Sequence, residues 1–263
     1  MAHFRLILLS LACSALLPVY GEDTVDLKNA IRVDSLTIPS PGEVMAALNK
    51  VAKPGWQSEY RAPIPTLYSS RAQIALNIGG LVADGYIALE AEDSQQIKNI
   101  GKDIITLSKS LAVSESVVAR GKSIMDFAEN NEWNALKEEL ESTQNEVKLA
   151  LIQQKDSDLV YLVTLGGWIR GTAVVSNWIA NNYTPEAAAI LRQPGIVNFI
   201  REEMRHLPEK IQADPLVRTI ADKLVEIEAL VSFPEGKPPT QEEVQRLHEI
   251  TSKLVEEISK KKE

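Results

Sequence analysis

Four stretches of this chain repeat one spacing. Ile97, Ile100, Ile104, Leu107 and Leu111 follow one another at intervals of three, four, three and four, and so do Trp133, Leu136, Leu140, Thr143 and Val147. Val217, Ile220, Leu224, Ile227 and Val231 repeat it, as do Val244, Leu247, Thr251, Leu254 and Ile258. These intervals return a residue to one face of an α-helix, so each stretch carries a narrow apolar stripe of the kind that seams bundles and coiled coils. Nowhere is the alternation of a half-buried strand sustained. The chain is therefore predicted to be all-α, a multi-helix bundle with helices near 70 to 91, 94 to 112, 115 to 129, 132 to 155, 158 to 181, 185 to 205, 211 to 231 and 241 to 260.

Start and stop signals divide it further. Asp93-Ser94 and Asn130-Asn131 read as N-caps, and Pro185 follows Thr184 at a first helical turn. The run FPEGKPP, 233 to 239, breaks two seam-bearing helices, and Thr240 with Glu243 forms a capping box that restarts the chain. Residues 211 to 263 thus read as a C-terminal antiparallel helical hairpin, free to project from a bundle core at 70 to 210. Between 22 and 69 the chain is punctuated by Pro39, Pro41, Pro54, Pro63 and Pro65, which permits one short helix in an otherwise extended N-terminal arm. Trp56, Tyr60 and Tyr68 on that arm predict that it packs on the body.

The first 21 residues have the layout of a secretory signal peptide: one Arg, an apolar run, and a small residue, Gly21, before an acidic start. Export to a periplasmic or extracellular space is the expectation, with cell-envelope association. Cys13, the one cysteine, lies inside that segment, so the remaining chain is expected to have no disulfide and to depend on its core. Lipidation of Cys13 would want an aliphatic residue where Ser10 stands, and membrane contact is expected only if the signal is retained or that cysteine is acylated. Losing the segment removes one Arg and no acid, taking the net charge from -8 to -9. A chain this acidic repels phosphate backbones, which excludes nucleic acid as a partner.

Two pairs of glycines stand out against this pattern. Gly79-Gly80 and Gly166-Gly167 sit in the two most apolar predicted helices, where each glycine costs about 1 kcal/mol relative to alanine. A close helix crossing at Gly79, Gly80, Gly166, Gly167 and Gly171 is the expected return, since small residues let backbones approach. With three helices between them the two would run parallel, and Asp84 would stand opposite Arg170 as a partly buried ion pair. An arginine cannot shed its proton, so inside a core it needs a carboxylate. On that pairwise reading, exchanging the two charges should restore part of what either reversal loses. Arg170 at the middle of 159 to 180 also counts against a membrane span there.

Two functional readings follow. In the first, the chain is an exported, non-enzymatic bundle that binds a protein partner or another copy of itself through helix faces, because the seams are many and no catalytic constellation is legible. In the second, it is a carrier or sensor in which Asn77, Asp84, Arg170 and Asn177 line a gap at the crossing and hold a small polar or anionic ligand. No cofactor or metal is expected. GKS at 121 to 123 lacks the glycine five residues earlier and the preceding strand of a phosphate-binding loop. Glu203 and His206 have the spacing of a carboxylate-bridged metal site, but the second copy and two further carboxylates are missing. There is no Gly-x-Ser-x-Gly elbow, and 5% aromatic content is too little for a sugar-stacking cleft. Asn182-Tyr183-Thr184 matches a glycosylation acceptor.

Overall fold

A computed structural model describes residues 38–261; the expected signal segment with Cys13 and the start of the arm lie outside them. Of the described residues 75% are helical, with no strand among them and 11 helices packed together, so the protein is an all-α multi-helix bundle. The arm supplies α1 (Pro41–Asn49), opened by a capping box between Ser40 and Glu43, and a single 3-10 turn at Trp56–Glu59. It then crosses the body as an irregular strap to Ser70, whose hydroxyl caps the next helix.

Five helices follow in an up-and-down array: α2 (Arg71–Glu90), α3 (Ser94–Ser110), α4 (Ser114–Glu129), α5 (Trp133–Gln153) and α6 (Ser157–Asn181). Their four connections share one geometry. Glu92, Ala112, Asn131 and Lys155 each have positive φ, and the next residue's N–H reaches back five positions, as Asp93 does to Ala88 O. This is the left-handed helix stop usually given to glycine. Asn131 is therefore a turn residue and not the cap expected of it, and α5 begins after Glu132 without a side-chain cap.

Two helices form the centre. α2 is buried except at Arg71, Val82 and Glu90, and α6 is buried along most of its length. They are apolar and long enough to cross a membrane by composition alone, yet here other helices wrap them. They run parallel: Arg71 meets Asp156 at one end, Gly79 meets Gly167 midway, and Asp84 meets Arg170 beyond. α3 covers α2, α4 covers α3, and α5 returns to both α2 and α6.

The helix expected at 185 to 205 is two, α7 (Pro185–Ala189) and α8 (Ile196–His206). Pro194 removes a donor and Gly195 turns the chain at φ 80, so the helix cannot pass. Likewise the predicted 211 to 231 divides into α9 (Glu209–Gln212) and α10 (Pro215–Val231), separated where Asp214 caps a proline-initiated helix. α11 (Gln241–Ser259) starts at the Thr240–Glu243 capping box. The hairpin of α10 and α11 does not project. The stripe Val244, Leu247, Thr251, Leu254 and Ile258 is buried, and α11 lies along α6 more extensively than along α10. Its apolar face is matched to the core, where burial is worth more than a free-standing pair could gain.

Candidate functional site

The glycines do different jobs. A Cβ on Gly79 would stand 1.9 Å from Val163 O, and one on Gly166 would stand 2.0 Å from Leu76 O, so only glycine lets these backbones touch. Gly167 adjoins Gly79 O and Pro41. Gly80 and Gly171 do not belong to the contact between α2 and α6. A Cβ on Gly80 would face Arg61 Nη2 at 3.2 Å, and one on Gly171 would face Pro41 Cα at 3.3 Å. Helical spacing predicts all five at one crossing; Gly80 and Gly171 instead make room for the arm, which no helical periodicity could reveal.

One turn beyond the crossing lies a polar centre. Arg170 Nε donates to Asp84 Oδ1 at 2.8 Å and Arg170 Nη2 donates to Glu59 O at 2.7 Å. Arg61, from the strap, donates through Nε to the other Asp84 oxygen at 2.8 Å and through Nη1 to Ser259 Oγ at 2.9 Å. Its Nη2 also sits 2.7 Å from Asp84 Oδ2, off the hydrogen-bond axis, so that approach is Coulombic while Nε carries the bond. Asn177 Nδ2 reaches both carboxylate oxygens of Glu59, at 2.9 and 3.0 Å. Burial pushes the Glu59 carboxyl above its ordinary range, more than the Asn177 bond and the charges of Arg170 and His248 pull it down. Two arginines thus face two buried carboxyl groups, and the set joins strap, α2, α6 and the end of α11.

Of the four residues expected to line a ligand gap, Asp84, Arg170 and Asn177 gather at this centre, and Glu59 links them. Asn77 is elsewhere: its Nδ2 donates to Gln73 O and, at 2.7 Å, to Ile258 O, and Gln73 Nε2 donates to Ile258 O and Lys260 O. These two side chains satisfy the carbonyls left open at the C-terminus of α11. There is no gap at the crossing itself, because backbone fills it. Arg61, Glu59 and Ser259 were not legible as members. The strap lacks periodicity, and 198 residues separate Arg61 from Ser259.

Open space lies to either side of α3. A polar cleft of about 270 Å³ runs between strap and helix, with Arg61, Gln96, Asn99 and Asp103 on its walls. The other space, about 60 Å³, is an apolar slot between α2, α3, α4 and α5, walled by Ile78, Val82, Ile97, Ile104, Ile124 and Val147. Gly101 and Gly121 line it, and a Cβ on Gly101 would meet nothing within 4 Å. Lys98, Lys102 and Gln144 stand among the lining residues. Gly121-Lys122-Ser123 lies within α4, and Ser123 Oγ donates to Glu139. Glu203 and His206 lie on α8, with His206 exposed, and no group of three or more His, Cys, Asp or Glu side chains suited to a metal occurs among the described residues. No family model, curated protein or solved structure matches this chain.

Proposed function

We propose that this protein is an exported, non-enzymatic carrier that holds the apolar part of a small ligand in the slot between α2, α3, α4 and α5. The observation that carries the reading is Gly101. A glycine inside a helix costs about 1 kcal/mol relative to alanine; at Gly79 and Gly166 close backbone approach offsets that cost, whereas on the slot Gly85 meets nothing nearer than 4.0 Å and Gly101 nothing within 4 Å. At Gly101 nothing approaches; the missing side chain leaves apolar space open. An empty apolar gap of about 60 Å³ costs roughly 1.5 kcal/mol in addition. The volume accommodates roughly two methylene-sized groups, the end of one alkyl chain, and burying them is worth roughly 1.6 kcal/mol before the costs of association.

The geometry supports the slot over the polar centre as the binding place. Asp84 is bonded to two guanidiniums and Glu59 to Asn177, so a ligand there would have to break buried bonds to enter. The heptad seams that suggested a protein partner are largely spent within the bundle, since Ile97, Ile104, Leu136, Val147, Ile220 and Leu254 are all buried.

Calorimetry with n-octanol on the chain without its signal segment tests the proposal. One saturable site is expected, together with a raised melting temperature. Gly101→Leu, which fills the slot from its own helix, should fold, melt higher than the parent and bind no n-octanol. Failure of the parent to bind, or unaltered binding by Gly101→Leu, would overturn the assignment.

A further inference from the structure

We infer that the ligand of the slot is a short alkyl carboxylate, its chain between the helices and its anionic head at Lys102; this rests on the slot being a ligand site. On α3, Lys98, Gly101, Lys102 and Ile105 recur at the helical interval and form one edge of the slot, so two cations flank the open position at Gly101. Like charges one turn apart repel, and this occurs in a chain of net charge -8, where cations are the minority. Lys98 is already held by Glu129 at 2.6 Å. Lys102 is exposed and has no acidic ion-pair partner among the described residues. Gln144, also on the lining, adds amide donors on the facing helix α5. An apolar chain leaving the slot past Gly101 would bring its head to this edge, where a carboxylate finds one uncommitted cation. An ammonium head would meet that same cation as a like charge, since Lys98 is already paired with Glu129.

A slot of about 60 Å³ has room for only the end of one alkyl chain, which favours a free single-chain acid over a two-chain lipid. Partial exposure sets the scale of the charge effect: an ion pair at such an edge amounts to about fivefold in affinity and weakens as salt is added.

The test compares octanoate, n-octanol and octyltrimethylammonium by calorimetry at low and high salt, on the parent, Lys102→Glu and Lys102→Met. Octanoate should bind the parent about fivefold tighter than n-octanol, with octyltrimethylammonium weakest, and salt should narrow the gap. Lys102→Met should make octanoate and n-octanol equal, and Lys102→Glu should reverse the order of the two charged ligands while leaving n-octanol unchanged. If n-octanol binds and octanoate binds no tighter, the head assignment is overturned while the slot remains a ligand site. If none of the three binds, both fall. Co-sedimentation with phosphatidylglycerol vesicles that Lys102→Met abolishes would assign the lysine to a membrane surface and also overturn the proposal.

Discussion

Asp84 is the residue on which most of the polar centre turns. As half of a pair with Arg170 it would predict a simple double-mutant cycle, in which exchanging the charges restores stability. The carboxylate instead serves Arg61 through one oxygen and Arg170 through the other. Asp84→Ala leaves two guanidiniums without their carboxylate, and about 3–5 kcal/mol of destabilisation is expected, the range for an uncompensated buried charge. Asp84→Arg combined with Arg170→Asp sets a guanidinium beside Arg61, so the swap should recover little in urea unfolding. Near-complete recovery would show that Arg61 is not coupled to the site. The pairing partner one helix away was legible because charge in an apolar helix demands it; the second arginine lay on a segment with no pattern to place it.

At the scale of elements, helix packing separates three glycines that look alike in sequence, two at the crossing of α2 and α6 and one on α3. Gly79→Ala drives a methyl to 1.9 Å from a backbone carbonyl, which cannot rotate aside. Its loss should exceed the usual 1–3 kcal/mol of overpacking, against a helix-propensity gain of about 1 kcal/mol. Gly167→Ala, whose nearest neighbours lie at 3.2 and 3.3 Å, should stay within about 1 kcal/mol of the parent, and Gly101→Ala should be stabilising by about 1 kcal/mol. Equal effects at all three positions in thermal melts would contradict this account. Helix limits were legible to within a few residues even though the four turns from α2 to α6 use Glu92, Ala112, Asn131 and Lys155 in place of glycine. Apolar spacing ended each helix when turn chemistry did not. The breaks at Pro194-Gly195 and Asp214-Pro215 were missed because apolar spacing continued across them.

For the whole molecule, α11 is the last helix in sequence but an inner wall in space. It buries Val244, Leu247, Ile250, Leu254 and Ile258, and its end accepts the donors of Gln73, Asn77 and Arg61. Five such side chains are worth roughly 10 kcal/mol of burial, comparable with the entire stability of an ordinary domain. Deleting residues 233–263 should therefore abolish cooperative thermal unfolding, followed by near-UV circular dichroism. A truncated protein that melts cooperatively within a few degrees of the full chain would sink the claim and return the hairpin to the status of an appendage.

What the sequence determined by itself is local. Intervals of three and four residues, caps, and the cost of glycine and arginine in apolar helices all act within a turn or two, so they are written in adjacent letters. All-α architecture, most helices and the demand for a close crossing follow from them. Tertiary structure alone decided that the arm delivers Arg61 and Glu59 to Asp84, Arg170 and Asn177, and that α11 closes the core. It also left the slot beside Gly101 open, because empty space is what remains after four helices have packed. No single stretch of chain encodes that remainder.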